Sequence, residues 1–138
     1  MWRRTFLMAV GGAALAADAQ QEIFNLFTKI AGALSDGDPA IFVEAVDPAM
    51  PHFEDFRADV TALTDLASLT NSIEVLSDKG DNQHRTEELD WFLEIAGNTP
   101  PHSVERRRAV VTFRLERKGK QWKIVGIDPL HFFAPPKS

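Results

Sequence analysis

Between Val104 and Asp128 the sequence VERRRAVVTFRLERKGKQWKIVGID carries the pattern that most narrows the fold. Val111, Phe113 and Leu115 fall on one side and Thr112, Arg114 and Glu116 on the other, the period of two expected of a strand with one buried face. Lys118-Gly119 is a two-residue turn signal, because glycine accepts the positive φ that tight hairpins require. That turn predicts Leu115 opposite Trp122 and Phe113 opposite Ile124, so the apolar sides of both strands coincide. A hairpin with one apolar face is not stable alone and must be covered by other elements.

The residues before it supply the cover. Gln21 to Ser35 predicts an amphipathic helix, with Ile23, Phe24, Phe27, Ile30, Ala31 and Leu34 at three- and four-residue spacing. Asp36-Gly37-Asp38 ends it. Asp38-Pro39 opens a second helix, with Asp as N-cap and Pro at the first helical position, and Ile41, Phe42, Ala45 and Val46 form its apolar side. A third helix is expected over Pro51 to Leu69, with Phe53, Phe56, Val60, Leu63, Leu66 and Ala67 at helical spacing. The period then changes. A strand is predicted from Asn71 to Leu76, a turn over Ser77 to Asn82, and a further strand from Thr86 to Ile95. In that strand Leu89, Trp91, Leu93 and Ile95 share one face, and Glu88, Asp90, Phe92 and Glu94 the other. Gly97 to His102 is a loop, and His131 to Pro136 is an apolar tail that needs a place to pack.

At 138 residues the chain fits one domain. Met1 to Ala19 is expected to be an export signal, leaving the domain from Gln20 to Ser138. Arg3-Arg4 forms a positive start, Phe6 to Ala17 is apolar or small, and Ala17-Asp18-Ala19, like Ala14-Leu15-Ala16, has the small-x-small form of a cleavage site, against the plainer reading of an ordinary N-terminal helix of the fold. The run is too short to span a bilayer comfortably. Arg3-Arg4-Thr5-Phe6-Leu7 resembles a twin-arginine export motif, with Trp2 where Ser or Thr is usual. Loss of the segment would leave 13 basic and 19 acidic residues. Net negative charge argues against nucleic-acid binding. The absence of cysteine excludes disulfides, a thiolate metal site and a cysteine nucleophile.

Three helices followed by four antiparallel strands define an α+β arrangement with helices on one sheet face. In order and length, from about Gln21 to Phe133, this resembles the nuclear transport factor 2-like superfamily, the ketosteroid isomerase or polyketide cyclase-like fold. The resemblance rests on the N-terminal amphipathic helix, the Asp38-Pro39 helix start, the Glu88-Leu89-Asp90-Trp91 alternation and the Gly119-x-x-Trp122-x-Ile124 strand. It implies a curved sheet wrapped around a helix, a cone with a pocket, and often a dimer. One departure is the wholly helical reading of Pro51 to Leu69, where many members place a short strand. Members include isomerases, dehydratases, cyclases, epoxide hydrolases and non-catalytic binding domains, so the fold alone selects no reaction.

The candidate ligand-binding residues are Phe27, Phe53, Trp91, Arg107, Phe113, Trp122, Asp128 and His131. The aromatics serve equally as core or as pocket wall. Arg107 points inward by parity and needs a carboxylate, Glu105 or Glu87, or else an anionic ligand. Asp128 and His131 are close enough in sequence to form an acid–base pair, against the plainer reading of a histidine at the cone edge. His84 and His102 read as exposed loop histidines, and the spacing of the four histidines, His52 and His131 included, suits no metal; no cofactor is expected. Glu88, Asp90 and Glu94 are expected to share the outer face with Arg106, Arg108 and Arg114, with Glu94 opposite Arg106. Phe92, Val110 and Val125 lie by parity on that charged face, where a homodimer contact is expected. A ketosteroid-isomerase reaction is not expected, because its oxyanion hole uses a tyrosine and a protonated carboxylic acid and this chain has no tyrosine. Binding of a small apolar or anionic ligand, a lyase or isomerase activity, and a protein-interaction role are the three functions the sequence leaves open.

Overall fold

The computed structural model describes residues 7–137, with side chains from Asp18 onward. The Arg3-Arg4 pair of the expected export signal lies outside the described residues. Three helices, α1 (Leu7–Ser35), α2 (Ala40–Ala45) and α3 (Phe53–Leu66), precede four strands, β1 (Ala67–Gly80), β2 (His84–Gly97), β3 (Val104–Lys118) and β4 (Gln121–Asp128), and a 3-10 turn at Leu130–Phe133. The strands form one antiparallel sheet in the order β1-β2-β3-β4. This is the α+β arrangement of N-terminal helices on a four-stranded sheet that the sequence predicts. Among the described residues no helix is long and apolar enough to cross a membrane.

Several boundaries differ from the sequence expectation. α1 begins at Leu7 rather than Gln21, because the preceding residues are rich in Ala and contain no proline. α2 starts one residue later than expected, at Ala40 with Pro39 as the cap residue, and Asp38 Oδ1 accepts a hydrogen bond from the Ala40 amide at 3.0 Å. α3 is shorter than Pro51 to Leu69: Ala67 is already extended, and Leu69 pairs with Ile95 of β2. β1 runs through the expected turn to Gly80, since Ser77 to Gly80 pair with Glu88 to Arg85. The reversal falls at Asp81, whose Oδ1 accepts from the amides of Gln83 and His84, both at 2.8 Å.

The β3–β4 hairpin also turns one residue later than expected, at Gly119-Lys120, with Gly119 at φ 64° in the first loop position. Leu115 therefore pairs with Ile124, and Trp122 stands opposite Arg117. Beyond a bulge at Val125, Phe113 pairs with Ile127. The two-residue shift preserves parity, so Phe113, Leu115, Trp122 and Ile124 are all buried. A second bulge lies at Leu76 in β1, between Val75 and Ser77. Bulges of this kind increase the local bend and twist of a strand.

The concave side of the sheet is filled mainly by aromatic rings. Trp91 and Phe42 lie nearly parallel with centroids 6.5 Å apart, Phe133 meets Phe42 edge-on at 4.9 Å and Trp91 at 5.2 Å, and Phe27 meets Phe113 at 4.7 Å. Such pairs contribute roughly 0.5–1.5 kcal/mol each beyond the area they bury. The Trp91 indole donates to Asn71 Oδ1 at 3.2 Å, and Asn71 donates to the Ala31 carbonyl and Ser35 Oγ, tying α1 to the sheet.

Candidate functional site

The residues expected to line one pocket are distributed over four places. Trp91 and Phe113 sit in the packed aromatic interior, each 0% exposed. Arg107 finds its partners within the chain: Nε donates to Glu105, and Nη1 donates to the carbonyls of Phe132 at 2.7 Å and Ala134 at 2.6 Å. Its guanidinium fastens the chain on either side of Phe133, which needs no anionic ligand as explanation. Asp128 and His131 are both exposed at the end of β4 and in the 3-10 turn. Phe27 belongs to the interior and also borders a smaller cavity beside Glu87.

Phe53 and Trp122 come together on the wall of an open groove of about 750 Å³ between α1, α2 and β4. α1 contributes Glu22, Leu26 and Lys29, which recur at helical spacing on one flank of the helix. α2 and the residues after it add Ile41, Val43, Val46 and Pro48. β4 and its turn add Lys120, Trp122 and Lys123. A bridge between Val46 and Ile124, with the Asp47 amide donating to the Ile124 carbonyl at 2.8 Å, fixes α2 against β4 and sets the groove width.

The polar groups of the groove are held in place. Glu22 Oε1 accepts from Trp122 Nε1 at 3.1 Å and from Arg117 Nη2 at 2.9 Å. Those two hydrogen bonds, Arg117 first, hold the Glu22 carboxyl below the usual range. The Arg117 guanidinium lies 4.6 Å from the centroid of the Trp122 ring and donates to the Asn82 carbonyl at 2.8 Å, so the indole is braced from behind. Lys123 Nζ donates to the Glu44 carbonyl at 2.6 Å. Lys29 and Lys120 are exposed at the rim. With Glu22 already neutralised by Arg117, the groove offers an apolar floor, one indole and an edge where Lys29, Lys120 and Lys123 outnumber the exposed carboxylate of Glu44.

The outer sheet face carries two rungs of the expected ladder; Glu88 instead accepts from Ser77 Oγ at 2.6 Å, and among the described residues Arg114 makes no ion pair. Glu94 pairs with Arg106 as predicted, with Arg106 Nε to Glu94 at 3.0 Å, and Arg108 grips Asp90 at 2.7 and 3.1 Å. Arg108 holds the Asp90 carboxyl below its usual range. Phe92 is half-buried there, Val110 is 49% exposed, and Val125 is the half-buried residue of the β4 bulge. Sequence reasoning missed Glu22, Lys29 and Lys120 as site residues. Glu22, Leu26 and Lys29 are a second, non-core stripe on α1, and that periodicity was the available signal.

No protein family profile and no curated protein matches this sequence. Solved structures do share its fold. A conserved protein from Planctomyces limnophilus DSM 3776 superposes with a TM-score of 0.71 at 11% identity, over 80% of this chain and 93% of that one. A type 2 hexachlorocyclohexane dehydrochlorinase superposes at 0.68 with 10% identity, over 83% and 86%. A nuclear transport factor 2-like superfamily protein from Salmonella enterica serovar Typhimurium superposes at 0.62 with 12% identity, over 88% and 94%. The chain has the nuclear transport factor 2-like fold.

Proposed function

We propose that this protein is an exported binding domain for a small amphipathic anion, an apolar body ending in a carboxylate or similar group, held in the groove between α1, α2 and β4. The observation that carries the reading is the braced Trp122 indole on an apolar floor beneath Lys29 and Lys120. Concave, mostly apolar sites with a few placed polar groups are where small ligands bind. The sequence expectation of a ligand inside the cone thus moves to its flank, because the chain's own aromatic rings occupy the interior.

Decanoate and decanol are suitable probes, followed through tryptophan fluorescence. Decanoate should quench or shift the Trp122 signal and bind more tightly than decanol. Reversing both lysines (Lys29→Glu with Lys120→Glu) should weaken decanoate by on the order of tenfold, since an exposed ion pair contributes up to about 1 kcal/mol. Equal binding of acid and alcohol, or indifference to the lysines, overturns the assignment. A second reading concerns the outer face, where half-buried Phe92 and exposed Val110 lie among paired charges. An apolar centre with a charged rim suits a homodimer interface.

A further inference from the structure

On the other flank of α1's buried stripe lies a second cavity, of about 520 Å³, bordered by Gln21, Phe24, Phe27, Val75, Asp78 and Glu87. Asp78 reaches it only because of the bulge at Leu76. Without that extra residue, strict alternation would turn Asp78 to the outer face; with it, Asp78 pairs with Glu87 on the concave side. Arg85, also inward, donates from Nε to Asp78 Oδ1 at 2.7 Å and from Nη1 to the Asp81 carbonyl at 2.9 Å. Asp78 and Arg85 therefore neutralise each other.

Glu87 is left over. Its side chain is 3% exposed, and Oε2 has no hydrogen-bond partner among the described residues. Arg85 Nε stands 3.9 Å away from it, beyond hydrogen-bonding reach. A buried polar atom without a partner costs roughly 1–3 kcal/mol, so the site is built with one contact unmade. Burial, and then the neighbouring Asp78 carboxyl, push the Glu87 acid up to about 9. In the full chain the facing residues of α1 are Gln20, Gln21, Phe24 and Phe27, and β3 opposes with Phe113 and Leu115, none of them titratable in this range; cleavage before Gln20 would add an α-amino group here, so the full chain is the one to test.

We infer that this cavity binds an organic amine, with the ammonium seated on Glu87 and Asp78 and the apolar body against Phe24 and Val75. Phe24 is 51% exposed and Val75 39% exposed, which leaves an apolar entrance. An ammonium brings both the missing donor and the missing positive charge. Binding is then an exchange: R–NH3⁺ plus Glu87–COOH gives the ion pair R–NH3⁺···⁻OOC–Glu87 and one free proton. A neutral ligand would release none.

The test is calorimetry of the full chain with benzylamine, benzyl alcohol and benzoate, in two buffers of different ionisation enthalpy. Benzylamine should bind at pH 7 with release of about one proton, and its affinity should rise about tenfold per pH unit between pH 6 and 8. Glu87→Gln, which keeps the shape and removes the titrating proton, should abolish both the binding and the proton release. Phe24→Ala should weaken binding while leaving the proton count at one. Binding without proton release, tighter binding of the alcohol or of benzoate, unchanged binding by Glu87→Gln, or no binding of benzylamine overturns the inference.

Discussion

Replacing Glu87 with glutamine should make the protein more stable, by an amount that depends on pH. The folded-state acid is raised to about 9 from its ordinary value of 4.5. Between those two values the native protein holds a proton that the unfolded chain has already lost. The sign follows: the contribution of Glu87 is fully present below about 4.5 and is lost as pH rises toward 9, at about 1.4 kcal/mol per pH unit. At pH 7 the loss amounts to about 3 kcal/mol, a large fraction of the 5–15 kcal/mol typical of a domain. Glutamine mimics the protonated acid at every pH and escapes the loss. All other titrating groups are common to both proteins and cancel in the difference. Urea unfolding at pH 5, 6, 7 and 8, followed by tryptophan fluorescence, should show the variant nearly matching the parent at pH 5 and exceeding it increasingly above. A difference that stays constant with pH, or shrinks as pH rises, refutes the reasoning.

Three further outcomes are expected. Phe133→Ala should destabilise the fold by about 3–5 kcal/mol, read as a lower denaturation midpoint, because Phe133 meets Phe42 and Trp91 edge-on at the centre of the interior. Light scattering at high concentration should give twice the chain mass, and Phe92→Glu should return the monomer. Intact-mass measurement on protein exported by its native host should place the mature start near Gln20; a product retaining residues 1 to 19 in that compartment would refute the export reading.

Where one residue type at one parity decides the answer, the sequence was legible. Leu89, Trp91, Leu93 and Ile95 could face only the core, and the same alternation puts Glu94 and Arg106 on one face, although parity alone does not set the register that pairs them. Hairpin geometry was less accessible, because one residue's difference in the turn at Gly119 moves every partner by two without changing which face is buried. The Leu76 bulge was not legible, since nothing in Val75-Leu76-Ser77 marks it, and it is what brings Asp78 to Glu87. From the sequence, Glu87 reads only as a candidate partner for Arg107. The overlooked signal was that Arg85 and Glu87 share parity with Leu89 and Trp91, which places two charges on a buried face. The groove around Trp122 depends on how α2 docks against β4, a long-range contact that no local pattern encodes.

Phe133 gives the fold a timetable. It follows every helix and strand in chain order, yet it occupies the middle of the interior and is clamped there by Arg107. During synthesis, which delivers the N-terminal residues first, the sheet can pair and the helices can dock while the centre of the core is still absent. Trp91, Phe42 and Phe113 then wait with an open side for a ring that arrives last. The nascent domain is therefore a half-closed vessel until this turn is released, and a chain in that state stays open to unfolding.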